Sequence, residues 1–289
     1  MSRPEYTAPP EVFYDEKEAQ KYTSKYGTTS RIIEIQSRMS ERALELLALP
    51  DGEPKYILDI GCGSGLSGDV IEEHGHMWVG VDISPSMLDV AAERGVDDGD
   101  VCQSDMGHGL PFRAGSFDGA ISISALQWLC NQDKTNHIPQ RRMKKFFSSL
   151  YNCLSRGSRA VFQFYPDGPD QVQLLTAAAM RSGFTGGLVV DFPNSTKAKK
   201  YFLVLFAGSP VGQTQLPKGL DDEPRNTVAY DTRNEARERA RARRNGGSHS
   251  KPAFKSKDWI LKKKERQRKQ GKDVRDDSKY TGRKRRGAF

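Results

Sequence analysis

Cysteine is scarce in this chain and never paired in sequence. The four cysteines (Cys62, Cys102, Cys130, Cys153) lie far apart in 289 residues and form no C-x-x-C unit. Neither a disulfide framework nor a cysteine-rich zinc site is expected, and a reducing compartment is. The five histidines are scattered as well; His74 and His76 stand two apart, a poor spacing for metal ligands on a helix, so no metal is expected. No apolar run approaches the 18 residues of a membrane helix, and no signal-peptide pattern opens the chain. The expectation is a soluble protein with no membrane partner.

Charge is plentiful but unevenly placed. Residues 221–289 hold 23 lysines and arginines against 11 acids, whereas residues 1–220 hold 22 against 26. A slightly acidic body therefore carries a strongly basic tail. The length accommodates one good-sized domain with an appendage.

The densest information is Asp59-Ile60-Gly61-Cys62-Gly63-Ser64-Gly65, which follows the apolar run Tyr56-Ile57-Leu58 and precedes a helix expected from Leu66. A strand, a glycine turn and a helix start make a nucleotide-binding corner. Three ligand readings compete: a methyl donor, a dinucleotide, or none. The carboxylate of Asp59 would repel a pyrophosphate. It would attract the ammonium and sulfonium of S-adenosylmethionine. Leu66 also stands where the dinucleotide pattern needs its third glycine.

Further acids follow at strand ends. Met77 to Asp82 reads as a second strand, and Asp82 lies about 20 residues past the glycines, where a carboxylate takes ribose hydroxyls. Ser84 and Pro85 open a helix as N-cap and first turn. Asp105 and Met106 follow a short third strand, Val101 to Gln103, and suit an adenine ring. Phe117 to Ile123 reads as the fourth strand, and 160–164 as a fifth beyond a helix at 141–154. A helix at about 169–182 and two last strands, 188–191 and 201–207, complete an alternation that implies a parallel α/β sheet. Ahead of it, Ser30 is placed to cap a helix of about 31–49.

Three acids at three successive strand ends, Asp59, Asp82 and Asp105, resemble the class I S-adenosylmethionine-dependent methyltransferase family. That resemblance implies a Rossmann-like seven-stranded sheet of order 3-2-1-4-5-7-6, with strand 7 antiparallel. It implies a cofactor site of Asp59, Gly61, Cys62, Gly63, Gly65, Asp82, Ile83, Asp105, Met106 and Ser122. Asp59 would face the methionine end, Asp82 the ribose and Asp105 the adenine. Domain boundaries are expected at 1–50 (an arm and helix covering the site), 51–207 (the cofactor domain), 208–228 (a linker) and 229–289 (the basic tail).

Two absences narrow the acceptor. After the fourth strand stands Ser122-Ile123-Ser124-Ala125, not the Asn/Asp-Pro-Pro-Tyr motif of many exocyclic-amine methyltransferases. No Pro-Cys pair marks a cysteine nucleophile for pyrimidine carbon-5. An acceptor with a free lone pair, such as guanine N7, needs only proximity and a shaped pocket. Ser124, Gln127 and Trp128 are candidates for that pocket, with Trp128 either stacking a flipped base or filling the core. Tyr14 and Tyr22 are candidate lid residues or surface aromatics.

Pro4-Glu5-Tyr6, Phe13-Tyr14, Lys21-Tyr22, the Arg31 to Leu47 helix, the glycine turn, Ser122 to Trp128 and the basic tail resemble, over the full length, the eukaryotic family that methylates guanine N7 in small-subunit ribosomal RNA. The resemblance implies a role in small-subunit biogenesis on pre-ribosomal particles. It implies residence in the nucleus, including nucleolus and nucleoplasm, with the cytoplasm as a further location. It also implies a small zinc-binding activator subunit, for which the edge strand around 101–105 offers a seat. The tail combines Trp259, Ile260 and Leu261 with Lys262-Lys263-Lys264 and ends in Arg283-Lys284-Arg285-Arg286. It suits RNA docking, nuclear import, or both. Two rival readings stand: methylation of a protein or small molecule, and an assembly factor whose presence matters more than its chemistry.

Overall fold

The computed structural model describes residues 3–23, 28–50, 52–96, 98–135, 137–208 and 216–220, and in the tail 257, 259–261, 263–264 and 275–277. The chain divides into two compact units, residues 1–223 and 224–289.

Seven strands build one sheet in the first unit: β1 (Tyr56–Ile60), β2 (Met77–Asp82), β3 (Gly99–Gln103), β4 (Phe117–Ile123), β5 (Leu154–Phe164), β6 (Thr185–Asp191) and β7 (Lys200–Phe206). Their order is β3-β2-β1-β4-β5-β7-β6. Strands β1 to β5 pair in parallel, and β7 runs antiparallel to both β5 and β6. The expected class I methyltransferase topology is present.

Among the described residues, seven α-helices accompany the sheet: α1 (Pro10–Phe13), α2 (Glu16–Thr23), α3 (Thr28–Leu47), α4 (Leu66–Glu73), α5 (Pro85–Arg94), α6 (Pro139–Cys153) and α7 (Pro169–Arg181). Alternate strand residues serve two cores, as the pleat dictates. Leu58 and Ile60 pack with Met143, Phe146 and Leu150 of α6 and Leu175 of α7. Ile57 and Ile121 pack on the other face with Met39 and Ala43 of α3 and Val70 of α4.

Element boundaries depart from the sequence reading in several places: α3 starts at Thr28, so Ser30 lies within the helix instead of capping it, and β6 starts at Thr185 instead of 188. The fifth strand starts at Leu154, not 160, because Arg156-Gly157-Ser158 bulges within the strand instead of ending it. Pairing jumps from Phe117↔Leu154 to Gly119↔Arg159. Gly157, at φ +88°, absorbs the extra residues, and its N–H donates to Ala207 O at 2.6 Å.

Beside β2, the buried Trp78 ring lies against Gly68, Gly80 and Gly99, where a Cβ would come within 2.0, 2.6 and 2.5 Å of it. Trp78 Nε1 donates to Glu72 at 3.1 Å. Inside the segment expected as a linker, Leu220 N donates to Asp191 Oδ1 at 2.8 Å, and Arg42 Nη2 donates to Lys218 O at 3.0 Å.

Within the second unit, backbone at 257, 259–261 and 263–264 is helical. Lys263 Nζ lies 4.8 Å over the Trp259 ring, and Lys264 Nζ donates to Arg275 O at 2.8 Å. The expected nuclear signal at 283–286 lies outside the described residues.

Candidate active site

The site forms where β1 stops. Gly61 N and Cys62 N both donate to Val81 O, at 2.7 and 3.1 Å, folding the turn back against β2. Gly61, Gly63 and Gly65 adopt φ of +72°, +53° and +78°, a region that favours glycine. At Gly61 the need is also steric, because a Cβ there would lie 2.3 Å from Ala125 Cβ. The β1 and β4 turns can touch only through a glycine.

Asp82 joins this loop to the next. Its Oδ2 accepts from Gly63 N at 2.9 Å and its Oδ1 from Ser84 N at 2.9 Å. Burial pushes its pKa up, and these backbone donors pull against that shift. Ser84 caps α5 as expected, accepting from Met87 N at 3.2 Å, and it donates to Tyr14 O at 2.8 Å.

A cavity opens over this corner. Gly61, Cys62, Gly63, Asp82, Ile83, Asp105 and Met106 line it on one side; Ser124, Trp128 and Tyr14 line it on the other. Four expected site residues stand behind the wall. Asp59 is fully buried; Ser67 Oγ donates to its Oδ2, its Oδ1 has no partner, and burial pushes its pKa to about 7. Ser67, not Asp59, reaches the cavity. Gly65 caps α4, and Ser122 Oγ is buried on β4 without a partner. Gln127 is buried and donates to Ser124 O at 2.8 Å. The Tyr22 side chain lies outside the described residues. Burial pushes the Cys130 thiol up to about 12, which disfavours the thiolate a nucleophile would need.

Ser124 has φ +59°, uncommon for a residue with a Cβ. Gln163 holds it twice: Ser124 N donates to Gln163 O at 2.9 Å, and Ser124 Oγ to Gln163 Oε1 at 2.7 Å. Strained backbone fixed by a buried side chain is a recurrent feature of active sites.

An N-terminal arm roofs the cavity. Arg3 donates to Tyr165 O and Pro166 O at 3.1 and 3.0 Å, Asn131 Nδ2 donates to Glu5 O at 2.8 Å, and Lys134 pairs with Glu11 at 2.9 Å. The arm brings Phe13 and Tyr14 to ring-centroid distances of 6.3 and 6.1 Å from Trp128.

The sequence reading missed Arg142. It donates to Asp105 Oδ1 at 2.7 Å, contacts His137 Nδ1 at 2.9 Å and lies 4.0 Å from Asp133. No local motif marks it: it is one basic residue among several on α6, chosen by the helix face it occupies. Asp105, His108 and His137 have ligand-type atoms within 4.8 Å of one another. The guanidinium already occupies two of these three residues, so the cluster suits an arginine better than a metal ion. Burial and Arg142 hold the His137 pKa down, consistent with a neutral ring accepting from Arg142.

The residues present fit S-adenosylmethionine. Among described residues, the wall offers three carboxylates (Asp82, Asp105, Asp133) against one guanidinium, Arg142. That balance suits a sulfonium and an ammonium and repels a pyrophosphate. Ser64 Oγ, also on the wall, is buried without a partner, and a polar group in the cavity would satisfy it.

Comparison with known proteins agrees with this geometry. A family model described as a methyltransferase domain matches residues 58–162, and one described as a methyltransferase involved in Williams-Beuren syndrome matches residues 205–287. The 18S rRNA (guanine-N(7))-methyltransferase of Mus musculus is 55% identical over 99% of this chain and 98% of its own length. A probable enzyme of the same name from Dictyostelium discoideum is 53% identical over 99% of each chain. The 18S rRNA (guanine(1575)-N(7))-methyltransferase of Saccharomyces cerevisiae is 49% identical over the full length of both. On identity of this extent, the chain belongs to the 18S rRNA (guanine-N(7))-methyltransferase family, whose cofactor is S-adenosylmethionine.

Proposed function

We propose that this chain transfers a methyl group from S-adenosylmethionine to N7 of a guanine in small-subunit ribosomal RNA, within small-subunit biogenesis. The observation that carries the reading is one cavity with two unlike walls. A glycine corner and carboxylates line one side, and an aromatic frame of Tyr14 and Trp128 lines the other.

When bound, the cofactor supplies an electrophilic methyl on a sulfonium. Gly61 and Gly63 would leave room for its close approach to the backbone, Asp82 would hold its ribose, and Asp105 and Met106 would hold its adenine. Guanine N7 carries a free lone pair and loses no proton on attack. No general base is therefore required, and the protein's task is alignment. Trp128 and Tyr14 provide flat faces for an unstacked base, while Gln163 fixes Ser124 at the junction of the two halves. The arm from Arg3 to Tyr14 keeps water from the junction.

The finer partners and location belong to the same proposal. The half-exposed edge strand β3 offers unpaired backbone groups to a small zinc-binding activator subunit. The basic tail serves RNA docking and entry to the nucleus, where pre-ribosomal particles assemble.

The test is nucleoside mass spectrometry of small-subunit ribosomal RNA from cells with and without the protein. The expected result is loss of one N7-methylguanosine, restored by the wild type and not by Asp82→Lys. Unchanged N7-methylguanosine would redirect the search to a protein or small-molecule acceptor. Normal small-subunit production with the Asp82→Lys variant would favour the assembly role.

A further inference from the structure

The turn from β6 to β7 stands out against its surroundings. The body of the chain is net acidic, with 22 lysines and arginines against 26 acids in residues 1–220. Yet residues 192–200, Phe-Pro-Asn-Ser-Thr-Lys-Ala-Lys-Lys, contain three lysines and no acid. The acid that precedes them, Asp191, is already matched by Arg42, whose Nε donates to it at 3.0 Å. Lys197, Lys199 and Lys200 have no carboxylate partner within 4.0 Å among the described residues.

The fold puts this turn at the rim of the active site. Strand β6 is antiparallel to β7, which is antiparallel to β5, so β6 ends at the same edge of the sheet as β5. Register fixes the distance. Ser124 N bonds Gln163 O, Gln163 pairs with Phe202, and Lys200 stands two residues before Phe202 at the start of β7, beyond the Phe164–Tyr201 pair. Two strand spacings, about 10 Å, separate the β4 turn from β7. Lys200 Nζ lies 5.4 Å over the Tyr165 ring, and Tyr165 O accepts from Arg3, the anchor of the arm over the cavity.

The turn is also organised. Ser195 N donates to Phe192 O at 3.0 Å, Lys199 N to Ser195 O at 3.1 Å, and Ala198 N to Ser195 Oγ at 3.0 Å. Phe192 has φ +51° and donates to Leu220 O at 2.5 Å. Lys197 is exposed on this fixed loop, while Lys199 and Lys200 are half-buried, and burial holds the Lys200 pKa down.

We propose that Lys197, Lys199 and Lys200 form a phosphate-binding rim that grips the RNA backbone beside the nucleotide entering the cavity. Ammonium groups without a carboxylate partner on an acid-free loop release counterions when they meet phosphates, and the acidic body around them restricts where the strand can lie. Such contacts position the strand without reading its sequence.

This inference rests on the ribosomal RNA reading. Full-length protein, wild type and Lys197→Ala/Lys199→Ala, would be titrated into a small-subunit ribosomal RNA fragment at several salt concentrations. Cofactor affinity and N7-methylguanosine formation would be measured in parallel. Two lost phosphate contacts on a single strand reduce the salt slope by about 1.4 and the affinity by about ten-fold at 0.15 M salt. Cofactor affinity should not move, and Lys197→Arg/Lys199→Arg should restore binding, because charge rather than shape is at stake. The tail is identical in all three proteins and cancels in the difference. An unaltered slope in a double-alanine variant overturns the rim, while the functional reading stands if both proteins methylate N7. Weakened binding without any N7-methylguanosine from the wild type keeps the rim and overturns the reading. Wild type that shows no salt-dependent binding overturns both.

Discussion

Gln163 holds Ser124 through both its backbone and its side chain, so a residue on β5 dictates the conformation of the turn after β4. The side-chain bond, 2.7 Å from Ser124 Oγ to Gln163 Oε1, lies inside a fully buried glutamine. Gln163 Nε2 spends its other contact on Phe164 O at 3.3 Å. Gln163→Leu should therefore cost about 1–3 kcal/mol of stability by stranding these groups. Catalysis should suffer more than cofactor binding, because Ser124 lies across the cavity from Asp82. The check is kcat beside cofactor affinity by calorimetry; an equal loss in both would make Gln163 a packing residue only.

Asp59 gives the protein a stability slope against pH. Its carboxyl, ordinarily near 3.8, is pushed to about 7 by burial, with Ser67 opposing and the charge of Asp82 assisting. The folded state thus holds a proton that the unfolded state releases, and stability falls as pH rises between these values. The contribution is complete below about pH 4 and lost by about pH 7; its full size is about 4 kcal/mol at most. Asp59→Asn, which cannot ionise, should flatten this part of the curve and make the variant relatively more stable at pH 8. Urea denaturation at pH 5 and pH 8 measures it; a slope identical to wild type would assign the pH dependence to other groups.

The edge of β3 carries a prediction about the activator subunit. Strand addition would cover backbone groups of residues 99–103 that β2 leaves unpaired. Amide exchange across 99–103 should slow when the activator is present, with little change at β6 on the opposite edge. Slowing confined to β6, or to neither edge, would move or remove the proposed seat.

How much of this was readable from sequence depends on the range of the interactions involved. The glycine corner, the acids at β2 and β3 and the Ser84 cap are local: a few adjacent residues determine strand, turn and helix start. Strand positions followed from alternation, although the bulge at Gly157 concealed six residues of β5, since a turn signal and a bulge signal use the same residue types. The surroundings of Asp59 are set by the fold: its place in the motif suggests a carboxylate facing ligand, and in the structure it is fully buried and accepts from Ser67 Oγ. Arg142 and Gln163 were invisible for the converse reason. Their partners lie 37 and 39 residues away, and only the finished fold brings them together.

Trp128 decides between the two readings that sequence leaves open for it, a base platform or a core filler. It is 7% exposed, which alone favours packing, yet it lines the cavity and shares it with Tyr14. A platform contributes through its flat face, worth about 1–3 kcal/mol per stacked base, or about 5- to 150-fold in affinity. Trp128→Phe keeps a face of reduced area, whereas Trp128→Ala removes it. The platform reading therefore expects kcat/KM for RNA to fall modestly in the phenylalanine variant and by one to two orders of magnitude in the alanine variant, with cofactor affinity nearly constant in both. A core filler behaves otherwise: Trp128→Ala would lower the melting temperature and weaken cofactor and RNA binding together, because the whole corner would loosen. Measuring Tm, cofactor affinity and kcat/KM on the same two variants separates these outcomes, since only stacking predicts a loss confined to the RNA.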